Sequence, residues 1–462
     1  MPDALDSRTL TEVLAYYDTW LAFNQRYQRI PGVQAAVFAG DRVALSTAYG
    51  LADVDGGVAL TPQHLFRIAS HSKTFTATAV LQLVEQGRLR LDDKASAHVT
   101  ELVGTPVGER TLRDLLSHAG GVTRDSLEAD FWQLGTPFPD REHLLGVLTD
   151  ESSAVLGEND RFKYSNIGYG LLGLVIEAVT GTSYNEHVQA AVVAKLGLDD
   201  LGPELDAARV AEYAVGYSAL AYADSRVPIE HVDTRALAAA TGFYGTAQDV
   251  VTYFSAHLPG DERLLTDASK RQMQHPLWKT TDEEDGPRYG LGLQITEVAK
   301  RDVFGHSGGY PGHITRSLVD PGRRIAVSVL TNAIDGPAAQ LAEGLLKLVD
   351  LAGSKDRGEG DLARFTGRFA NLWGVNDVVL LGGRLHVIDP TAADPAAGPT
   401  TLELDGDSAL RVTGDSGFGG YGERYRFTFG ADGRVESYRG AGGLTSRPIE
   451  HFTLPDRVTV AG

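Results

Sequence analysis

The alternation of apolar and polar positions predicts a helix and two strands at the start of the chain. Apolar and aromatic residues recur at helical spacing over residues 10–28, which predicts an N-terminal helix. Residues 33–38 and 43–49 are rich in strand-forming side chains and are separated by a short turn sequence, which is typical of a β-hairpin. The chain is therefore expected to open with one helix and one hairpin.

The pattern up to residue 352 predicts helices in the middle and strands at the end. Residues 73–86 are apolar on more than one face and precede Gly87, which predicts a buried helix that ends at a glycine cap. The middle of the chain, roughly residues 75–245, is predicted to consist mostly of helical segments broken by Gly, Pro and Asp turns, including a helix at 169–179 that Gly181 closes. Further strands are expected at 291–295, 314–319 and 325–330, and a last helix at about 337–352. This order predicts an α+β fold, in which an antiparallel sheet is flanked by helices and carries a helical subdomain.

A second domain is predicted beyond residue 352. Residues 353–360 are all small or charged, and none of them has an apolar side chain. This is the composition of a linker. After them, short apolar runs alternate with Gly and Asp turns, which is typical of a small antiparallel barrel. The expected organisation is a domain over residues 1–352, a linker over 353–360 and a β-barrel domain over 361–462.

Composition and charge narrow the partners. The 462 residues include 61 Asp and Glu against 42 Lys and Arg, a formal net charge of −19. Such a surface repels phosphate backbones and anionic lipids, so neither a nucleic-acid nor a membrane partner is expected. No leader or long apolar run is visible, which predicts a cytoplasmic protein, although a secreted form trimmed of its leader would look the same. The chain has no Cys, and no metal or other cofactor is expected.

A serine and a lysine lie one helical turn apart at the start of the predicted buried helix. Ser70 and Lys73 can share one helix face, and no other serine has a lysine at that offset. A lysine can take the proton of a serine only when burial or neighbouring cations lower its pKa. The apolar residues that follow Lys73 would provide that burial. Taken alone, such a pair is more often an exposed serine and lysine at a helix start than a catalytic pair.

Two further elements carry related chemistry. Tyr164 can relay a proton near a lysine, and Asn166 can hold the lysine or a substrate carbonyl. The third element is predicted to lie at a sheet edge that faces the cleft, where its glycines leave room for a substrate backbone and offer an N–H donor. It consists of His306, Ser307, Gly308 and Gly309. His118 begins a second H-x-G sequence, and a structural role is predicted for it.

The order and separation of these elements resemble a known family. They resemble the S-x-x-K, Y-x-N and H/K-x-G triplet of the class C type of the serine β-lactamase and penicillin-binding-protein family, which includes D,D-carboxypeptidases, D-aminopeptidases and esterases of the peptidase S12 type. The sequences at 66–69, 89–93 and 115–118 are similar to that family's framework, so the resemblance covers about residues 20–350. The chain beyond residue 360 resembles the lipocalin-like domains that follow many members. A β-lactamase-like fold is implied.

The resemblance also implies roles for the residues of the three elements. Ser70 would attack a carbonyl to form an acyl-enzyme, Lys73 and Tyr164 would share the role of general base, and Asn166 would orient the lysine and the substrate. The backbone N–H groups of Ser70 and Gly309 would form the oxyanion hole. The substrate would be bound by Ser307, Gly308 and Gly309.

His306 stands where β-lactamases usually have a lysine, so efficient β-lactam turnover is not expected. If His306 contacts the substrate or the Tyr164 hydroxyl, its titration is expected to appear within about one to two pH units of neutrality. A lysine at this position is expected to favour substrates with a free carboxylate.

The implied function is that of a serine hydrolase that acts on small molecules or short peptides. Its substrates would be amide or peptide bonds involving D-amino acids, or small esters. An alternative is a thioesterase-like peptide cyclase of a nonribosomal pathway, in which an internal amine displaces water at the acyl-enzyme. A β-lactamase and a non-catalytic penicillin sensor are further alternatives, and a homo-oligomer is compatible with the sequence.

Overall fold

The structure is a computed structural model that describes residues 5–353, 360–414 and 419–454. These residues divide into two compact units. The first comprises residues 29–342, and the second comprises residues 5–28 with the described residues from 343 onward. Of the predicted linker, residues 354–359 lie outside the described residues, so the linker stays a prediction.

The helices include the expected ones close to their predicted bounds. The α-helices of the described residues are α1 (Ser7–Tyr27), α2 (Ser72–Glu85), α3 (Leu112–Leu116), α4 (Arg141–Thr149), α5 (Asn166–Thr180), α6 (Tyr184–Val188), α7 (Ala194–Leu196), α8 (Ala238–Thr241), α9 (Ala247–Ser255), α10 (Asp267–Gln274) and α11 (Ala338–Ala352). Within the described ranges, no helix has the length and hydropathy needed to cross a membrane.

The described strands of the first unit lie mostly toward its two ends, and four short ones lie in its middle. They are β1 (Gly32–Ala39), β2 (Arg42–Asp53), β3 (Val58–Ala59), β4 (Phe66–Arg67), β5 (Leu201–Gly202), β6 (Gly216–Tyr217), β7 (Pro228–Ile229), β8 (Tyr244–Gly245), β9 (Trp278–Lys279), β10 (Arg288–Tyr289), β11 (Gln294–Val298), β12 (Arg301–Tyr310), β13 (His313–Asp320) and β14 (Ile325–Thr331). The large sheet has the order β3-β2-β1-β14-β13-β12-β11-β10-β9.

The pairing in this sheet confirms the predicted antiparallel sheet built from both ends of the domain. Strand β1 pairs with β2 on one side and with β14 on the other, with Ala36 opposite Ser328 in the second pair. Both pairs are antiparallel, as are those that join β11 to β14. Because β1 is buried along its whole length, apolar residues occupy both of its faces, with Gln34 as the buried polar exception.

Two helices of the helical region position the site. Helix α2 is buried from Ser72 to Leu83 and contacts α5 and α8. The Ser165 hydroxyl caps α5 by accepting the Gly168 N–H over 2.8 Å, as Ser does at helix N-termini. Gly181 ends α5 with a φ of 75°, a left-handed conformation that suits glycine.

The second unit contains the expected C-terminal barrel. Its strands close in the order β15 (Gly367–Asn371), β16 (Gly374–Leu381), β17 (Arg384–Ile388), β18 (Thr400–Leu404), β19 (Ala409–Gly414), β20 (Arg424–Phe429), β21 (Val435–Arg439) and β22 (Thr445–Pro448). Phe365, Phe369, Leu385 and Phe427 lie in its core. The predicted antiparallel barrel is confirmed.

Helix α1 belongs to this second unit, whereas the sequence pattern had grouped residues 1–352 into one domain. The Tyr16 hydroxyl donates to the Asp377 carboxylate over 3.1 Å, and Arg368 pairs with both oxygens of that carboxylate at 2.7 and 2.8 Å. The Trp20 indole N–H donates to the Pro390 carbonyl over 3.2 Å. Contacts of this kind, between residues far apart in the chain, have no signature in local periodicity.

Candidate active site

Ser70 lies in a sharp turn between β4 and α2. The turn is a 3₁₀ segment, Ala69–His71, and Ala69 has a φ of 49°, which costs energy for a residue with a Cβ atom. Burial holds the turn in place, because Ala69 and His71 are both fully buried while Ser70 is partly exposed. The serine hydroxyl is therefore presented at the start of a rigid, buried helix.

Lys73 follows one turn later and is fully buried. Its Nζ lies 3.2 Å from Ser70 Oγ, 2.7 Å from Asn166 Oδ1 and 2.9 Å from the Ala240 carbonyl oxygen. Burial holds the pKa of Lys73 well below its usual range, while the Asp125 carboxylate opposes that shift and the Arg124 guanidinium adds to it. Desolvation disfavours the charged ammonium.

Tyr164 approaches the serine from the other side. Its hydroxyl donates to Ser70 Oγ over 2.9 Å, and Lys73 Nζ lies 4.7 Å from the centre of its ring. Burial raises the pKa of the Tyr164 phenol above its ordinary value, although the hydrogen bond to Ser70 opposes the shift. The ring of His118 packs 4.3 Å from that of Tyr164, and His118 Nδ1 accepts the Ser165 N–H over 3.1 Å.

Asn166 is the first residue of α5 and bridges the side chains of Lys73 and Asp125. Its Oδ1 faces Lys73, as given above, and its Nδ2 donates to Asp125 Oδ1 over 2.6 Å. The same oxygen accepts the Trp132 indole N–H over 3.0 Å, while Asp125 Oδ2 accepts from Arg124 Nε over 3.0 Å. The amide is thereby held in one orientation, with its oxygen toward the lysine.

The third element, residues 306–309, lies inside strand β12. Because successive residues of a strand face opposite sides of the sheet, its members are divided between two faces. Strand β11 pairs with β12 as far as Gly305, so among the described strands the last residues of β12 pair with β13 alone. Ser307 and Gly309 line the cleft beside Ser70. The Gln294 amide donates to Ser307 Oγ over 3.1 Å.

His306 points to the opposite face of β12 and is fully buried. Its Nδ1 lies 2.6 Å from the Ser307 carbonyl oxygen, so this nitrogen carries the proton. Its Nε2 then accepts from the Tyr289 hydroxyl, 3.0 Å away. Burial first, and the charge of Lys73 second, hold the pKa of His306 well below its ordinary value. The expectation that His306 contacts Tyr164 or titrates near neutrality does not fit this placement.

Gly308 is also turned away from the cleft. A Cβ atom on this glycine would lie 2.1 Å from the Ile68 carbonyl oxygen, far inside van der Waals contact. The glycine therefore allows β12 to pack against the segment that leads to Ser70, and it does not provide the room for a substrate backbone that the sequence suggested. Gly309, by contrast, is exposed, and a Cβ atom on it would lie 3.6 Å from its nearest neighbour, the Ile314 side chain.

Several residues of the site have no motif in the sequence. Asp125 contacts Asn166, which lies 41 positions later in the chain, and Tyr289 contacts His306, which lies 17 positions later. The Arg124 side chain lies beside Tyr164, with its guanidinium carbon 5.3 Å from the ring centre. Only the proximity of Arg124 and Asp125 to His118 in the sequence could have drawn attention to them.

The site opens onto a cleft of about 730 Å³. It is lined by Ser70, Arg124, Asp125, Ala129, Trp132, Gln133, Tyr164, Asn166, Gln294, Ser307 and Gly309. A second cavity of about 560 Å³ shares Trp132, Gln133 and Gly309 with the cleft and continues past them. Among the described residues, no group of three or more His, Cys, Asp and Glu side chains is arranged to hold a metal ion.

A serine in contact with a lysine and a tyrosine, in a turn that leads into a buried helix and contacts strand β12 of an antiparallel sheet, defines the serine β-lactamase and penicillin-binding-protein class. The chain belongs to the beta-lactamase family, whose model matches residues 19–350. This range agrees with the resemblance deduced from the motifs, and the predicted β-lactamase-like fold is confirmed.

Known relatives match the chain to different extents. It is 32% identical over 180 residues to Protein flp of Staphylococcus aureus (strain MW2), which covers 37% of this chain and 34% of that protein. The chain thus spans about a third of the length of that curated relative. The octameric penicillin-binding protein homologue from Pyrococcus abyssi is similar in structure, with a TM-score of 0.67, 24% identity and coverage of 94% of this chain and 100% of the other. SurE, solved with D-Leu, is similar with a TM-score of 0.60, 26% identity and coverage of 96% and 100%.

Proposed function

We propose that the protein is a serine hydrolase that cleaves amide or ester bonds through an acyl-enzyme on Ser70. One observation carries this proposal: Ser70 Oγ lies 3.2 Å from Lys73 Nζ and 2.9 Å from the Tyr164 hydroxyl. A serine hydroxyl is a weak nucleophile unless an adjacent base takes its proton, and here two groups that can move that proton touch the same oxygen.

The hydrogen bonds favour Lys73 as the group that takes the proton. A neutral amine has two N–H donors and one lone pair. The two donors are occupied by Asn166 Oδ1 and the Ala240 carbonyl, so the lone pair is left for the Ser70 hydroxyl. The lowered pKa of Lys73 supports the neutral form, whereas the raised pKa of Tyr164 keeps the phenol protonated.

Tyr164 then completes the proton transfer. As Ser70 Oγ forms a bond to the substrate carbonyl carbon, its proton moves to Lys73. The Tyr164 hydroxyl lies 2.9 Å from the same oxygen, and Lys73 Nζ lies 4.7 Å from the centre of its ring. The phenol can therefore give its proton to the leaving group as the scissile bond breaks, and it regains a proton from the protonated Lys73. Water then attacks the acyl-enzyme, and the reverse proton path releases the acid and restores Ser70.

The strand edge supplies the binding surface. Because no strand in the described part of the chain pairs with the end of β12 on the cleft side, an extended substrate can pair with it, as peptides do at exposed sheet edges. The backbone N–H groups of Ser70 and Gly309 form the proposed oxyanion hole. The expected contribution of Ser307 is a hydroxyl to the substrate, while His306 and Gly308 act by holding β12 in place.

We propose substrates that contain D-residues with a large apolar group. The structure of SurE with D-Leu supports the proposal of D-residues, because the structural similarity between SurE and this protein extends over nearly the whole chain. The cavity beyond Gly309 supports the proposal of a large apolar group, because apolar side chains contribute much of its wall. They include Trp132, Leu134, Tyr222, Ile229 and Pro311.

A labelling experiment tests the nucleophile, and a panel tests the substrate. A fluorophosphonate probe is expected to add its mass to the peptide that contains Ser70 and to leave the Ser70→Ala protein unlabelled. D- and L-amino acid p-nitroanilides and p-nitrophenyl esters, with Ala and Leu side chains, are then compared. Faster turnover of D-Leu than of L-Leu and D-Ala substrates is expected. Labelling that persists without Ser70 would refute the assignment.

A second candidate is acyl transfer, in which an amine rather than water attacks the acyl-enzyme. The open cleft and its continuation into a second cavity favour this candidate, because both partners of a transfer have to fit. Product analysis with and without added glycinamide separates the two. Amide products in competition with hydrolysis would indicate transfer. The cytoplasmic location and a homo-oligomer also remain predictions, and the octameric Pyrococcus abyssi relative supports testing the latter by light scattering.

A further inference from the structure

Arg124 is the exposed cation of the cleft. It lines the wall together with Ser70, Tyr164 and Asn166, and 65% of its side-chain surface is exposed. Its guanidinium carbon lies 5.3 Å from the centre of the Tyr164 ring. A substrate that reaches Ser70 therefore passes within contact distance of a guanidinium group.

The side chain is anchored at one end and open at the other. Arg124 Nε donates to Asp125 Oδ2 over 3.0 Å, which fixes the base of the guanidinium plane. The two terminal nitrogens make no hydrogen bond or ion pair with any residue in the described part of the chain. They form a planar pair of donors that matches the two oxygens of a carboxylate.

The other charges of the cleft are occupied or buried. The Asp125 side chain is only 11% exposed, and its oxygens already accept hydrogen bonds from Arg124, Trp132 and Asn166. Lys73 is buried, and His306 is buried on the far face of β12. Of the described residues that line the cleft, the others are neutral. A substrate thus meets the positive guanidinium rather than the carboxylate behind it.

The adjoining cavity has the opposite character. Glu230 is the charged residue among the described side chains that line it, and the other members of the wall are neutral. An anionic group is disfavoured beside this carboxylate, because like charges repel. The two ends of the combined groove therefore differ, with a cation near Tyr164 and an apolar, weakly acidic region beyond Gly309.

We propose that Arg124 binds a carboxylate of the substrate and selects for substrates that carry one. This inference rests on the proposed function, and it adds a specificity residue that the three motifs do not contain. The carboxylate can belong to the acyl part or to the leaving group, since both pass Tyr164. The apolar group of the substrate then occupies the cavity beyond Gly309.

Two substrate pairs test the proposal and identify which part of the substrate is recognised. The acyl pair is mono-p-nitrophenyl glutarate and its methyl ester. The leaving-group pair is acetyl-D-leucyl-glycine and acetyl-D-leucyl-glycinamide. The pair that responds identifies the part of the substrate whose carboxylate Arg124 binds. In that pair, Arg124→Gln is expected to lower kcat/KM of the carboxylate member by about tenfold, with less than about a threefold change for its neutral partner. Arg124→Lys is expected to restore part of the loss, because it keeps the charge but not the planar fork.

Arg113→Gln provides the control for the loss of one positive charge. Arg113 pairs with Asp92 over 3.1 Å, and its side chain is 38% exposed. It is not among the described residues that line the cleft, so this variant is expected to leave all four substrates unchanged. Equal losses on both members of each pair in Arg124→Gln would overturn the proposal, because Arg124 would then act through Tyr164 alone.

Binding to an inactive protein separates this proposal from the proposed function. Calorimetry measures glutarate and glutaramide binding to Ser70→Ala and to the same variant with Arg124→Gln. Tighter binding of glutarate, lost with Arg124→Gln, is expected even if none of the four substrates is turned over. No difference between the two ligands in Ser70→Ala would overturn the role of Arg124. Labelling of Ser70 would remain as the separate test of the catalytic assignment.

Discussion

Asp125 Oδ1 accepts the Asn166 Nδ2–H over 2.6 Å, and this bond turns the Asn166 carbonyl oxygen toward Lys73. The amide has two orientations of similar shape, and only one of them presents an acceptor to the lysine. The buried carboxylate therefore determines which groups surround Lys73. It also stabilises the protonated form of Lys73 by its charge.

Removal of this carboxylate is expected to change both the rate and its pH dependence. Asp125→Ala should lower kcat/KM by about tenfold or more, because the Asn166 amide loses a buried partner. It should also move the acidic limb of the profile to lower pH, since the pKa of Lys73 falls further without the neighbouring negative charge. Trp132→Phe, which removes one donor to Asp125 and leaves Asn166 in place, serves as the control. A lower rate with an unmoved limb would mean that Asp125 is only structural.

The two proton carriers are expected to differ in the step they affect. Lys73→Ala and Tyr164→Phe should each lower turnover by roughly 10²-fold or more. Lys73→Ala should also abolish labelling of Ser70, because the nucleophile loses its base. Tyr164→Phe should retain labelling by an activated p-nitrophenyl ester, whose leaving group needs no proton. Near-native rates in either variant would contradict its role.

The activity is expected to fall as the pH drops. The pKa of Lys73 is lowered by burial, so the neutral amine is present above that lowered pKa and is lost as the pH falls through it. Turnover of a neutral ester between pH 4 and pH 9 measures this acidic limb. Lys73→Arg keeps a positive charge at every pH and should remove activity across the range.

How far the sequence predicts the fold depends on how local each signal is. Helices α2 and α5 and strands β13 and β14 were predicted close to their bounds, because apolar residues recur along each of them and no Gly or Pro interrupts the two strands. Strand β12 was not recognised as one strand, since Gly305, Gly308 and Gly309 interrupt its pattern. The barrel was predicted only as a series of short runs without bounds for each strand, because exposed polar residues and turn residues dominate such short segments.

The same limit applies to the site. Ser70 and Lys73 are one helical turn apart, so their proximity follows from helix geometry. The orientation of His306 depends on the period-two alternation of a strand that had not been recognised. Had residues 301–310 been treated as one strand, His306 and Ser307 would have been placed on opposite faces. Asp125 could not be found in this way, because only the packed fold brings it to Asn166.

Two neighbouring glycines of β12 are expected to respond oppositely to substitution. Gly308→Ala places a Cβ atom 2.1 Å from the backbone oxygen of Ile68, so the strand has to shift at a cost of roughly 1–3 kcal/mol. Gly309→Ala meets its nearest neighbour at 3.6 Å and should change the free energy of unfolding by less than about 1 kcal/mol. Thermal and urea unfolding compare the two variants. Equal stability would mean that β12 does not pack against Ile68 as described.

The buried position of His306 leads to the last prediction, which concerns the pH profile. In His306→Gln, the amide can donate to the Ser307 carbonyl and accept from the Tyr289 hydroxyl, so both hydrogen bonds of the histidine are reproduced. Because burial holds the pKa of His306 well below its ordinary value, its protonation should not shape the kcat/KM profile near neutrality. The profile near neutrality should therefore be the same in His306→Gln as in the wild type.

A lysine at this position separates burial from contact with the substrate. His306→Lys places an ammonium in a fully buried site that already feels the charge of Lys73. An unpaired buried cation is costly, so the variant should unfold at a lower temperature, and the loss should shrink as rising pH neutralises the new amine. The preference for substrates with a carboxylate should not rise above that of the wild type. A stable His306→Lys protein that gains such a preference would show that this side chain reaches the cleft, and that β12 turns its other face to Ser70.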